Sequence, residues 1–488
     1  MSLTSALSIA QRSLLNTARQ TSVVSQNISN AQNADYARRS AVLVSTSPGA
    51  TALTIQRATN AALFRNNLAA LSSYNAQSTL LTGIDNLTLQ VNGVENASSA
   101  STLIGKLQEA LQSFATTPSN ENLAENTVEA ARQLANALND GTDAIQTFRS
   151  QVDQDISVSV ARLNDLLSQF HAANNTIIHA TQAGTDASDA LDQRDSLLKQ
   201  IAELVPISTI SRANDDMVIT TASGVTLFET VPRSVTFSPI QSYSASTAGN
   251  AILIDGVPLG PGQGANTSAD GSLAAMLQLR DTVAGTMQSQ LDEIARGLIV
   301  SFAETDPSGA GLLPDVTGLF TWPGGPDLPA DATISTGLAG LIAVNPAVDT
   351  AAGGDVTLLR DGGINGAAYV ANASGGASYS ELLFKYSERL DSPIAFDPAA
   401  GLDVNASVTD FAGSAISWLE LSRQQATDAS EVKSALMLRT SAALSNETGV
   451  NIDEEMALLL DLEHSYQASA RLISAVDDML STLLAAVQ

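Results

Sequence analysis

The apolar positions of this chain keep a helical rhythm at both ends and lose it in the middle. At the start, Leu3, Leu7, Ala10, Leu14, Thr17, Thr21, Val24 and Ile28 follow one another at alternating steps of four and three. At the end, Leu458, Leu462, Ser465, Ser469, Leu472, Val476, Met479, Leu483 and Ala486 do the same. That is the 3.5-residue repeat of a coiled-coil seam. Each stripe lacks a large core of its own, which predicts two terminal helices that are loosely ordered alone and order against a partner.

Between the seams the first stretch reads as helices. One is predicted over 58–91, ended by Asn92-Gly93, and a second over 98–115, stopped by Thr117-Pro118. A third starts at a Ser119 or Asn120 cap and continues to about residue 183, and a fourth spans 188–204, capped by Ser188 and stopped by Pro206. Pro is absent from Ser119 to Val205, a length that fits a rod rather than a globular helix.

Residues 206–390 hold 23 of the 32 Gly and 11 of the 15 Pro, which marks a change to loops and strands. Ser234-Val235-Thr236-Phe237 alternates, Ala251-Ile252-Leu253-Ile254 leads into the hairpin dipeptide Asp255-Gly256, and Pro258 implies an edge strand. A helical stretch over 272–302 interrupts this zone. From 391 the composition is helical again, and Asn451 caps the last helix, with Glu454 three residues on.

The expected fold is multidomain and mainly α with a β-rich insertion. Residues 1–36 with 450–488 form a terminal coiled-coil domain. Residues 37–205 with 272–302 and 391–449 form an elongated helical bundle, and 206–271 with 303–390 form an outer β-rich domain.

Charge narrows the function. The net charge of −27 opposes nucleic-acid binding and docking on anionic lipid, so neither is expected. The charge is unevenly placed: residues 1–40 carry four Arg against one Asp, whereas 451–488 carry seven acids against Arg471. Arg12 and Arg19 are therefore expected to face acids of the terminal helix. Cys is absent and aromatics are 4%, which points to long helices packed through small side chains and leaves no thiol chemistry. No signal-peptide pattern and no run of 18 apolar residues occurs, so these rules alone would place the chain in the cytoplasm.

Catalytic chemistry has few candidates. His171, His179 and His464 have no carboxylate at metal-ligand spacing. Asp192-Gln193-Arg194-Asp195 reads as capping and salt bridging, with Asp195 paired to Lys199 one turn on. Gly260-Pro261-Gly262-Gln263-Gly264 lacks the phosphate-loop ending and reads as a turn. No catalytic residue, cofactor or metal site is expected.

Ser25-Gln26-Asn27-Ile28-Ser29-Asn30-Ala31, followed by Tyr36-Ala37-Arg38-Arg39, resembles the N-terminal motif of the axial proteins of the bacterial flagellum. Asn33-Ala34-Asp35-Tyr36 stands where that motif has a Thr-Pro-Gly-Tyr turn. Leu191-Asp192-Gln193-Arg194-Asp195-Ser196-Leu197-Leu198 looks like a stretch of the hook-associated protein 1 family. Gly449-Val450-Asn451-Ile452-Asp453-Glu454-Glu455, with Tyr466-Gln467-Ala468-Ser469-Ala470-Arg471, looks like its C-terminal signature. The helix from Gly271 to Ala295 is similar as well, and residues 206–270 and 303–390 match weakly.

The resemblance implies a ring of subunits between hook and filament, with the terminal helices as an inner layer. It implies export by the flagellar type III machine without a cleaved signal, which reverses the cytoplasmic reading to an extracellular one. The implied partners are hook protein, the second hook–filament junction protein and an export chaperone on the C-terminal helix. The candidate assembly residues are Leu3, Leu7, Leu14, Val24, Ile28, Asn27, Asn30, Tyr36, Arg38, Leu458, Leu462, Leu472, Val476, Met479 and Leu483. The competing readings are another hook or rod subunit, or a secreted coiled-coil effector or adhesin.

Overall fold

The first long helices of the computed structural model begin and end at local capping signals. The structure describes residues 3–46 and 50–487. Helix α1 (Leu3–Ser29) is followed by an antiparallel hairpin of β1 (Arg39–Thr46) and β2 (Ala50–Arg57), with Arg39 opposite Arg57 and Ala41 opposite Ile55. Sequence reading assigned no element to 39–57. The β-branched-rich apolar run Ala41-Val42-Leu43-Val44 and the alternating Leu53-Thr54-Ile55 carried the signal.

Helix α2 (Ala61–Asn92) starts at Asn60, whose Oδ1 accepts the N–H of Leu63, and stops at Gly93 at φ 70°. Ser99 caps α3 (Ala100–Thr116). Asn120 caps α4 (Glu121–Ala183), which ends at Gly184 in the left-handed region, and its 63 residues make it about 95 Å long. Its inner face runs from Ala124 and Val128 through Leu138 and Ile145 to Leu163 and Phe170, all buried, first against α3 and then against α5 (Ser188–Leu204). Ser188 is not the cap of α5. The cap position is Ala187, and Asp186 before it takes the Ser188 N–H at 3.0 Å and its hydroxyl at 2.6 Å.

The insertion opens with two three-stranded antiparallel sheets. One is β3 (Ile207–Ser211), β4 (Met217–Thr221) and β5 (Thr226–Phe228); the other is β6 (Val235–Thr236), β7 (Leu253–Ile254) and β8 (Val257–Pro258). Asp255-Gly256 forms the two-residue turn between β7 and β8, both residues at positive φ. Pro258 lies on the edge strand, where no ladder N–H is needed. An edge-to-face contact of Phe170 and Phe228, 4.9 Å between centroids, ties α4 to β5.

The helix expected over 272–302 is α6 (Ser272–Leu277) and α7 (Ala284–Ser301) joined by a π-helical turn, Gln278–Val283. The wider turn aims Arg280 inward, where its Nη1 donates to Asp153 Oδ1 at 2.6 Å and both side chains are buried. Gly83 allows α2 to approach this turn, since a Cβ there would lie 2.3 Å from Leu279. The Gly260–Gly264 loop packs on α6, with the Gly262 N–H on Ala274 O, and is no anion cradle.

Residues 303–390 contain less strand than expected: one pair of two-residue strands, short turns, α8 (Leu358–Asp361) and α9 (Glu381–Leu390). Ser407 caps α10 (Val408–Thr448), which lies along α2, and Asn451 Oδ1 takes the Asp453 N–H at the start of α11 (Ile452–Val487). The whole is mainly α with small β insertions, as expected.

Asp292 on α7 holds the 337–340 turn to the helix core. Its carboxylate accepts the N–H groups of Gly337 and Ala339 at 2.8 and 2.9 Å and the Gln288 amide at 3.0 Å. Burial outweighs those donors and pushes its pKa up to about 6. The folded chain therefore binds this proton more tightly than the unfolded one. The Asp292 contribution to stability should be largest below the ordinary Asp pKa and be lost as pH rises toward about 6, at most about 1.4 kcal/mol per pH unit. Urea midpoints from pH 4 to 7 check this, and Asp292→Asn should flatten that part of the profile.

Candidate functional site: the terminal helix pair and its polar latch

Helices α1 and α11 pack against each other within one chain, so the terminal helices are paired before any partner arrives. Ser13 Oγ meets Ser469 Oγ at 3.0 Å, and Asn27 Nδ2 donates to Glu455 Oε2 at 3.0 Å. Both contacts fit one antiparallel register. The seam is built from small or slim residues at seven-residue steps, Ala10, Thr17 and Val24 against Leu462, Ser469 and Val476, which lets the two backbones come close.

The predicted seam divides. Leu7, Leu14 and Ile28 flank the contact and are half-buried, while Leu462 and Val476 are buried in it. Leu458, Leu472 and Met479 lie outside it at 46%, 47% and 50% exposure. The contact thus uses one of the two rows of each seam read in sequence, and the other apolar row of α11 stays open. The side chains of Leu3 and Leu483 lie outside the described residues.

Arg12 and Arg19 do not meet acids. Both are exposed and, among the described residues, form no ion pair. The small-residue register decides this, because it turns both arginines to solvent. Among the described residues the ion pair joining the two end segments is Arg38–Glu454, 3.4 Å and solvent-exposed, a type worth ~1 kcal/mol or less.

What locks the pair to the rest of the chain is polar and buried. Asn27 is fully buried and uses all its hydrogen-bonding capacity. Its Oδ1 accepts the Tyr36 hydroxyl at 2.8 Å and the Arg39 N–H at 3.0 Å. Its Nδ2 donates to Arg39 O at 2.8 Å and to the buried Glu455 carboxylate. One side chain of α1 therefore holds the loop, the first strand and the base of α11. Asn30 is half-buried, its Nδ2 donating to Gln26 O within α1.

The loop keeps its turn without the Pro-Gly of the resembled motif. Asn33 Oδ1 takes the Asp35 N–H, and Asn33 O takes the Tyr36 N–H. Asp35 is free to pair with Lys199 at 2.8 Å and accept from Ser196, so Lys199 does not serve Asp195.

A charge cluster fastens the latch to α5. The Arg39 guanidinium sits 4.8 Å over the Tyr36 ring and donates to Asp189 at 2.6 Å and Asp192 at 2.9 Å. Arg57 bridges Asp192 and Asp195 at 2.7 Å each. Burial raises the Asp195 carboxyl pKa, against the pull of Arg57. Arg39, not Arg38, is the buried arginine. Arg38 contributes its backbone instead, its N–H on Thr448 O at the end of α10. Sequence reading missed Arg39, Arg57, Asp189 and Glu455; the visible signal was an Arg at each base of an otherwise uncharged hairpin.

Among the described residues no group of three or more His, Asp or Glu side chains is placed to hold a metal ion, and no helix is long and apolar enough to cross a membrane. His171 packs on Phe228 at 5.6 Å.

Residues 88–319 match the family profile described as the helical domain of flagellar hook-associated protein FlgK, and 443–486 match the C-terminal domain of flagellar basal body rod FlgEFG proteins. The chain is similar to flagellar hook-associated protein 1 of Bacillus subtilis, 20% identical over 81% of this chain and 78% of that protein. It is similar to the Salmonella typhimurium protein of the same name, 29% identical over 29% of this chain and 27% of that one. A solved structure, the flagellar hook junction protein FlgK from Burkholderia pseudomallei, aligns with a TM-score of 0.43 and 19% identity over 53% of this chain and 46% of that one. The chain carries the helical domain of flagellar hook-associated protein FlgK over residues 88–319 and the C-terminal domain of flagellar rod proteins over 443–486, and it is a structural component of the flagellum.

Proposed function

We propose that this chain forms a ring joining hook to filament outside the cell, exported by the flagellar type III system without a cleaved signal. Its work is mechanical, with no catalytic group and no cofactor. The α1–α11 pair, residues 1–36 with 450–488, makes the inner layer, the helical rod surrounds it, and the insertion faces outward. The observation that carries this reading is the open apolar row Leu458, Leu472 and Met479 beside a pair already closed on its other side. A solvated row of that kind on a paired helix suits a neighbouring helix, in the ring or in an export chaperone. The two occupants exclude each other, so the chaperone leaves before assembly. Hook protein below and the second junction protein above are the other partners.

Electron microscopy of a deletion strain tests this. Hooks without filaments, with filament subunits lost to the medium, are expected, and normal filaments would sink the reading.

A further inference from the structure

The face of the rod between α2 and α4 carries a groove of about 410 Å³. Ser78, Thr82 and Asn86 line one wall at four-residue steps of α2, and Thr147, Gln151 and Asp155 line the other at four-residue steps of α4. The floor is apolar, made by Phe148, Met276 and Leu279. Gly83 lets that floor rise between the walls, because any Cβ would collide with Leu279. Asp155 is the single ionisable side chain lining the groove.

A second feature complements it. Glu304 and Val316 pair through both backbone hydrogen bonds, at 2.9 and 3.0 Å, and close the neck of a loop over 305–315. Inside the loop the Asp306 carboxylate accepts the N–H groups of Ser308 and Leu312 at 2.9 and 2.7 Å and the Ser308 hydroxyl at 2.7 Å. The tip, Ser308-Gly309-Ala310-Gly311-Leu312, is uncharged, and Leu312 is 79% exposed, the most exposed large apolar side chain among the described residues.

We propose that the groove receives the 305–315 loop of a second copy of this chain, with Leu312 on the apolar floor and the glycine-rich backbone against the amide and hydroxyl walls. The inference rests on the ring reading. Two copies each at −27 repel, so they meet best where charge is sparse, as at the uncharged 308–312 tip and in a groove with Asp155 as its one ionisable side chain. Side-chain amides and hydroxyls both donate and accept, which suits them to exposed main-chain N–H and C=O groups. A loop held in shape by its own carboxylate loses little freedom on docking. A ring also needs a head-to-tail contact between two different patches of one subunit, and loop and groove share no residue.

The absence of Cys makes the test direct. Leu312→Cys and Thr82→Cys are introduced singly and together in a strain lacking the native gene, and isolated flagella are oxidised with diamide. The double variant should give cross-linked multimers on a non-reducing gel, mixed single variants a dimer, and each single variant alone none. Ala310→Cys with Gln151→Cys should reproduce this. Variants that reach the hook tip without cross-linking, or a double variant that closes only within one chain, overturn the loop–groove contact and leave the junction reading standing. A wild-type chain that never reaches the hook tip overturns both.

Discussion

Replacing Asn27 by Ala is expected to loosen the terminal helix pair from the rod at a local cost of about 3–5 kcal/mol. The substitution strands four groups at once. The Tyr36 hydroxyl, both backbone groups of Arg39 and the Glu455 carboxylate lose a partner in a place water does not reach. Hydrogen exchange should speed up in 15–40 and 450–465 and stay unchanged in α4, because the rod core does not depend on these bonds. Asn27→Asp should be at least as damaging at neutral pH. It loses both donated bonds and sets a second carboxylate beside Glu455. Acidification should partly restore it as the two carboxylates come to share a proton. Unaltered protection in both segments of the Ala variant would show that the latch does not hold the pair.

Removing the Asp192 carboxylate should produce the second large effect. Asp192 is the acid that Arg39 and Arg57 share, with side-chain exposures of 6%, 11% and 13% for Arg39, Arg57 and Asp192. Asp192→Ala leaves two desolvated guanidinium groups short of charge, and breaking such a pair costs about 3–5 kcal/mol. Asp195 still holds Arg57, so the lower end is expected here. The loss should appear as faster exchange across 39–57 and weaker motility. Asp189→Ala is the contrast: that carboxylate is 94% exposed, and its removal should cost ~1 kcal/mol or less. Adding Arg57→Met to Asp192→Ala should recover part of the loss, since one uncompensated buried charge disappears. Equal effects of Asp189→Ala and Asp192→Ala would contradict the burial argument.

The helices were legible because their signals are local. Asn120 announces a start, and Gly93, Pro118 and Pro206 announce stops, within a few residues of the elements they bound. The hairpin at 39–57 was harder to read, since a two-stranded ribbon is marginal alone and this one leans on α1 and α5 through Gln20, Arg39 and Arg57. The π turn at Gln278–Val283 left no trace in periodicity; it arises because Arg280 must reach Asp153, 127 positions away in the chain. Strand content in 303–390 was overread for a related reason: Gly and Pro mark turns without saying what lies between them.

The candidate site was half visible. Asn27 and Tyr36 were marked by the motif that contains them, and Asp192 by its own. That these residues form one latch depends on a register between positions more than 150 apart. Charge counting pointed Arg12 and Arg19 at the terminal acids, and packing overruled it. An exposed ion pair contributes little, so close approach of Ala10, Thr17 and Val24 to Leu462 and Val476 sets the register instead.

By itself, then, the amino-acid order determined where the helices run, that the two ends are amphipathic, that no thiol chemistry exists and which family the motifs resemble. Those properties follow from neighbours along the chain. Tertiary structure alone decided that the ends pair within one molecule, that the pairing is antiparallel and leaves Leu458, Leu472 and Met479 open, and that Arg39 rather than Arg38 is buried. The reason is that an amphipathic stripe says how a helix is greasy but not which neighbour comes closest. That choice falls to side-chain size and to the few buried polar groups whose partners lie far away in sequence.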